Sequence, residues 1–203
     1  MNGACRFLLT GILDFAETMF PDFSSFTRDE QWQLAVSVHG QIYTIDAYRA
    51  EKTYPADTGK VLEAYTAYMS EEVVDGFFDD CPNEGANFEE AKKELKTFID
   101  NFITSSRLAL RRANVDEIEL HAILILSFWF VDCLQMPDEI MRAAEKYRQD
   151  VLRELAAHYK EDLNLHDFAA RIGELFMLLF TLNLGTDAEE QFELYRLLGV
   201  FTD

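Results

Sequence analysis

Apolar residues recur along this chain at intervals of three and four, which is the spacing of one face of an α-helix. Within residues 4–19, Leu8, Ile12, Phe15 and Met19 form such a row, so the pattern predicts a buried helix. Pro21 closes it, because proline has no N–H to donate. A second helix is predicted from Thr27. Thr27 and Glu30 have the spacing of a capping box, in which hydroxyl and carboxylate satisfy free amides of the first turn. That helix is expected to reach Arg49 or Glu51, with Leu34, Val38, Ile42, Ile45 and Tyr48 or Arg49 on its inner face. Gly40 in its middle costs about 1 kcal/mol relative to alanine, which a close helix crossing would offset.

Residues 52–62 interrupt the pattern. Tyr54 to Gly59, with Pro55 and Asp57 between, is a turn signal, with short strands expected to flank it. Residues 61–80 are predicted as one or two short helices, and Pro82-Asn83-Glu84-Gly85 as a loop. Asn87 and Glu90 cap a long helix to about Ala113, lined by Phe88, Ala91, Leu95, Phe98, Phe102 and Ile103. Residues 115–130 are apolar nearly all round, which predicts an interior helix. Pro137-Asp138 opens the next helix, to about Lys160, with a stripe of Ile140, Ala144, Tyr147, Val151, Leu155 and Tyr159. A last helix is expected from Leu165 to Gly199, with a break near Gly185-Thr186-Asp187. No repeat or domain linker interrupts residues 1–203. The expectation is one all-α domain of seven to nine helices, layered, with its most apolar helix in the middle.

Composition supports a large core: the chain has 203 residues, 49% of them apolar, and 17 are Phe. The net charge of -19 repels phosphate, so direct nucleic-acid contact and adsorption to an anionic membrane are not expected. Cys5, Cys81 and Cys133 are far apart, with no metal-ligand spacing. Leu120 to Val131, the longest apolar run, falls short of the roughly 20 residues that span a bilayer. The N-terminal stretch has too thin a basic region for a signal peptide and is expected to be a folded helix.

Little points to catalysis. Asp79-Asp80 is similar to the aspartate pairs that hold magnesium in all-α terpenoid synthases, but Asn83 stands where a third carboxylate would be. His39, His121, His158 and His166 lack metal-binding spacing, and His121 is expected to be a hydrogen-bonded core residue. There is no nucleophile elbow and no phosphate-binding Gly-rich loop. No catalytic residue, metal or cofactor is expected. Glu119 and Arg171 each interrupt an apolar stretch. A lone buried charge is costly, so they pair with each other, or else Glu119 caps its helix with Asp116 and Arg171 sits in solvent.

The order of these features resembles the ligand-binding domain of nuclear hormone receptors, above all the divergent nematode branch. The family's corner has the form Pro-x-Phe-x-x-Leu-x-x-x-Asp-Gln. It reads here Pro21-x-Phe23-x-x-Phe26-x-x-x-Glu30-Gln31. Glu119-Leu120 to Trp129 is similar to the family's internal helix, Arg171 to Leu182 to its tenth, and Phe192 to Phe201 to that helix's continuation. The turn at 54–59 falls where the family has two short strands. The resemblance implies a three-layer antiparallel helical sandwich with a ligand cavity in its lower half, and Glu119–Arg171 as a structural ion pair.

It also implies a function: binding a small lipophilic ligand, of fatty-acid or sterol kind, and coupling it to coregulator proteins in transcription, in the nucleus or shuttling from the cytoplasm. Candidate pocket residues are Leu8, Leu9, Ile12, Ile42, Tyr43, Ile45 and Arg49. The coregulator-groove positions fall at Glu17 or Thr18 and at Val36, where the family's basic charge is missing. Phe192, Tyr195 and Leu198 are the expected seam of a homo- or heterodimer. The chain is expected to be this domain alone, without the family's zinc-finger module, first helices or final activation helix. The alternatives are a ligand-independent dimerisation module with a filled pocket and, less favoured, a terpenoid-synthase-like enzyme.

Overall fold

The computed structural model describes residues 2–53, 61–64, 67–69, 93, 105–131 and 134–183. Helix α1 spans Asn2–Met19. A short 3-10 turn, Phe23–Ser25, leads into α2, Arg28–Thr53. Two strands follow, β1 (Val61–Ala64) and β2 (Ala67–Met69). Then come α3 (Ser105–Ala113), α4 (Glu117–Phe128) and α5 (Asp138–Ala157). A π-helical turn, His158–Asp162, and α6, Ala169–Asn183, complete the described part.

The architecture is an all-α sandwich. Helix α2 packs on α1, α3, α4 and β1, and α4 packs on α2, α5 and α6. These two helices therefore form the middle, with α1 on one side and the α3–α6 pair on the other. The core has two clusters along them. One joins Leu9, Ile12, Leu13, Ala16 and the corner aromatics to Leu34, Val38, Phe128, Trp129 and Ile140. The other joins Ile45 and Tyr48 to Leu110, Leu120, Ile123, Leu155, Tyr159 and the buried leucines of α6. Burying each such large side chain stabilises by about 1.5–3 kcal/mol.

Several elements differ from expectation. Val61–Ala64 and Ala67–Met69 pair as antiparallel strands rather than forming a helix, with Val61 opposite Met69 and Leu62 opposite Tyr68. The buried stripe of α1 is Leu9, Ile12, Leu13, Ala16 and then Phe20, while Met19 is 50% exposed. The row through Met19 thus runs slightly off the core-facing side. Helix α6 begins at Ala169, four residues after Leu165, which is itself exposed. His121 is exposed, not core. It shares the outer edge of α4 with Ile118, which is 48% exposed and lies one turn before it. The expected helix over 87–113 is described only at Lys93 and from Ser105 onward. The Asp79-Asp80 pair and residues 184–203 lie outside the described residues.

Candidate functional site

Helix α4 starts with a capping box. The Asp116 side chain accepts from the Glu119 amide at 2.8 Å, and the Glu119 carboxylate accepts from the Asp116 amide at 3.0 Å. The same carboxylate holds Arg171 of α6: Nε donates to Oε1 and Nη2 to Oε2, each at 2.6 Å. Tyr159 adds its hydroxyl to Oε1 at 2.8 Å. Arg171 Nη1 donates to the Ala113 carbonyl, 2.9 Å, and to Glu174, 3.0 Å. Glu119 is therefore cap and ion-pair partner at once, and it is 3% exposed. Burial alone would raise its carboxyl. The hydrogen bonds from Arg171, Asp116 and Tyr159 outweigh this and hold it below the usual carboxylate range. Burial and Glu119 push the Tyr159 phenol well up.

The network continues through Asp116. Its second oxygen lies 2.9 Å from His158 Nε2, and Asp162 lies 2.7 Å from His158 Nδ1. Asp162 and Asp116 together raise the imidazole above its usual value, because the protonated form of the ring can donate to both carboxylates. His158 opens the π-helical turn, whose end is tied by the Leu165 amide to the Tyr159 carbonyl at 2.7 Å. A mid-chain π turn often marks a place where side-chain geometry overrides the α pattern. Sequence spacing does not reveal the His158–Asp116 contact, which joins residues 42 positions apart.

The corner between α1 and α2 is built on aromatic rings. Phe20 stacks on Phe128 at 5.1 Å and meets Trp129 edge-on at 5.0 Å. Trp129 stacks on Tyr147 at 4.9 Å. Such pairs add roughly 0.5–1.5 kcal/mol beyond their burial. Thr27 and Glu30 close the cap of α2: the Thr27 amide donates to the carboxylate at 2.7 Å. Gln31 donates to the Phe23 carbonyl at 3.0 Å, which fixes the turn. Asp22 reaches across to α5, accepting from Lys146 Nζ at 2.8 Å and from the Tyr147 hydroxyl at 2.9 Å. These bonds lower the Asp22 carboxyl.

The residues singled out for a pocket divide between the clusters. Leu9 and Ile12 belong with the corner aromatics and Ile45 with the lower cluster. The Leu8 side chain lies outside the described residues. Ile42, Tyr43, Asp46 and Arg49 are half-buried along one side of α2, although that helix lies in the middle layer. Arg49 is 3.7 Å from Glu117. Burial raises the Asp46 carboxyl against the pull of Arg49. At the groove positions, Glu17 is exposed and 4.0 Å from Arg28. Thr18 donates to the Asp14 carbonyl at 2.8 Å, and Val36 is buried in the core. Phe192, Tyr195 and Leu198 lie outside the described residues.

Helix α6 also presents an apolar face to solvent. Leu175, Leu178, Leu179 and Leu182 are buried, while Phe176, Met177 and Phe180 on the other side are 43%, 66% and 51% exposed. The sequence signal is the run Leu175 to Phe180, apolar on every side of the helix. Among the described residues there is no cluster of three metal-binding side chains, and no helix is long and apolar enough to cross a membrane.

A family model, the ligand-binding domain of nuclear hormone receptor, matches residues 2–198. Among solved structures, the chain is similar to the Ultraspiracle ligand binding domain from Drosophila melanogaster, with a TM-score of 0.66 and 14% identity, over 96% of this chain and 71% of that one. No curated protein matches it in sequence.

Proposed function

The chain belongs to the family of nuclear hormone receptor ligand-binding domains, and we propose that it serves transcriptional control by pairing through α6 with a second domain of the same fold. The observation that carries this reading is the bare face of Phe176, Met177 and Phe180 on a helix whose other face is core. Large adjoining apolar side chains held in water favour burial against a partner. A second copy offers the same face, so the pairing is self-complementary about a two-fold axis. Light scattering of the purified domain tests it. The wild-type domain should be a dimer, and Phe176→Glu with Phe180→Glu should give a monomer with an unchanged helical spectrum. A dimer that survives both substitutions refutes the reading.

A second reading is ligand response. It is favoured by the half-covered side of α2 at Ile42, Tyr43, Asp46 and Arg49. A middle-layer helix that keeps one side incompletely packed borders space a small lipophilic molecule could fill. Binding would favour one packing of α1 and α2 and so act on coregulator contacts by population shift. Glu17, Thr18 and Val36 themselves carry no basic charge to clamp a coregulator helix. Native mass spectrometry should find a co-purified lipid, lost when Ile42 is replaced by Trp. An empty domain whose melting temperature ignores fatty acids and sterols refutes this reading. The terpenoid-synthase alternative has no support in the family match.

A further inference from the structure

A cleft of about 210 Å3 lies between the corner and the first turns of α5, lined by Asp22, Phe26, Glu139, Arg142, Ala143 and Lys146. Its apolar floor is Phe26 and Ala143, both nearly buried. Four charged side chains surround that floor, and two are already committed. Lys146 holds Asp22 at 2.8 Å, and Asp22 also takes the Tyr147 hydroxyl. The side chains of Arg142 and Glu139 make no ion pair or hydrogen bond among the described residues. They stand three residues apart on α5 and therefore on one face of it.

A free cation and a free anion beside an apolar floor are complementary to a molecule carrying both charges and an apolar body. We propose that this cleft binds a small zwitterion of amino-acid type with an apolar side chain. Its carboxylate meets the Arg142 guanidinium, whose planar fork matches two oxygens. Its ammonium meets Glu139, and its side chain covers Phe26 and Ala143. The charges lining the cleft, Asp22 and Glu139 against Arg142 and Lys146, sum to zero, so a zwitterion leaves none unpaired. A simple anion or cation would strand one of the two free groups. Because the cleft is small and open on one side, the affinity is on the order of 1 mM. The ligand would join α5 to the corner between α1 and α2, so occupancy would stabilise that junction by mass action.

Amide NMR titration of the whole domain tests this with three probes: L-phenylalanine, N-acetyl-L-phenylalanine and L-phenylalaninamide. L-phenylalanine should shift the Phe26 and Ala143 amides saturably. Arg142→Gln should weaken the two carboxylate probes by about tenfold or more and leave the amide unchanged. Glu139→Gln should weaken the two amine probes and leave the N-acetyl compound unchanged. Both residues are exposed, so the fold should survive either change. The proposal is overturned if no saturable shift appears at the corner, or if both variants bind all three probes as the wild type does.

Discussion

Arg171→Met removes the guanidinium while keeping an unbranched apolar stem, and it leaves Glu119 charged and 3% exposed. Two charge-assisted hydrogen bonds of 2.6 Å disappear. Removing one member of a buried pair costs about 3–5 kcal/mol, because the other charge stays behind. Here Glu119 keeps the Tyr159 hydroxyl and the Asp116 amide, so the loss should fall near the lower end, about 3 kcal/mol. In a chain of this length that lowers Tm by about 6–12 °C. Urea unfolding followed by circular dichroism at neutral pH measures it. The double variant with Glu119→Gln should lose less than the sum of the two single losses, by about 1–3 kcal/mol. The folded carboxyl of Glu119 lies below its unfolded value, so its contribution is present above pH ~4.3 and fades as the pH falls. Arg171→Met should shrink that acid sensitivity. A loss below about 1 kcal/mol, or strict additivity in the cycle, would refute the claim that this pair carries its charge buried and coupled.

Other outcomes follow from single side chains. Burial lowers His39 to about 4, so the unfolded state takes up protons first as the pH falls below ~6.5; stability should drop by about 3 kcal/mol between pH 7 and 4, and His39→Gln should flatten that slope in urea melts. His158 has the opposite sign: its raised value gives a contribution present below pH ~6.5 and lost as the pH rises through the folded value, so His158→Gln should weaken the domain more at pH 6 than at pH 9. Tyr147→Phe removes the hydroxyl bond to Asp22 and should cost about 1 kcal/mol, with unchanged helix content by circular dichroism.

The residues that announce this fold act locally or through strict pattern. The corner is legible because Pro21, Thr27 and Glu30 each have a backbone consequence within three residues. Glu119 is legible because a carboxylate in an apolar run must find a partner. The strand pair β1–β2 is hidden in the sequence because Val61, Leu62, Ala64, Tyr65, Tyr68 and Met69 also fit helical spacing, and Ala, Leu, Glu and Met favour helix; packing of β1 on α2 decides otherwise. His121 was misplaced because a helix apolar nearly all round has no phase from which to tell its outer edge. The Asp22–Tyr147 and His158–Asp116 bonds span 125 and 42 residues, and no spacing rule brings such partners together.

The triple use of Glu119 has a kinetic meaning. Its carboxylate closes the first turn of α4 with Asp116 three residues away, yet it is satisfied only when Tyr159 and Arg171, 40 and 52 residues further on, have arrived. Local helix nucleation and long-range docking thus share one group. The start of α4 cannot fray while α6 is seated without stranding the guanidinium, and α6 cannot lift off without exposing a cap whose carboxylate has lost its cation. The amides of Glu119 and Leu120 should therefore exchange with solvent only when the π turn and α6 open with them, as one cooperative unit. Loop closure over these distances must precede the reward, so this seam should form late in folding and set the barrier to opening.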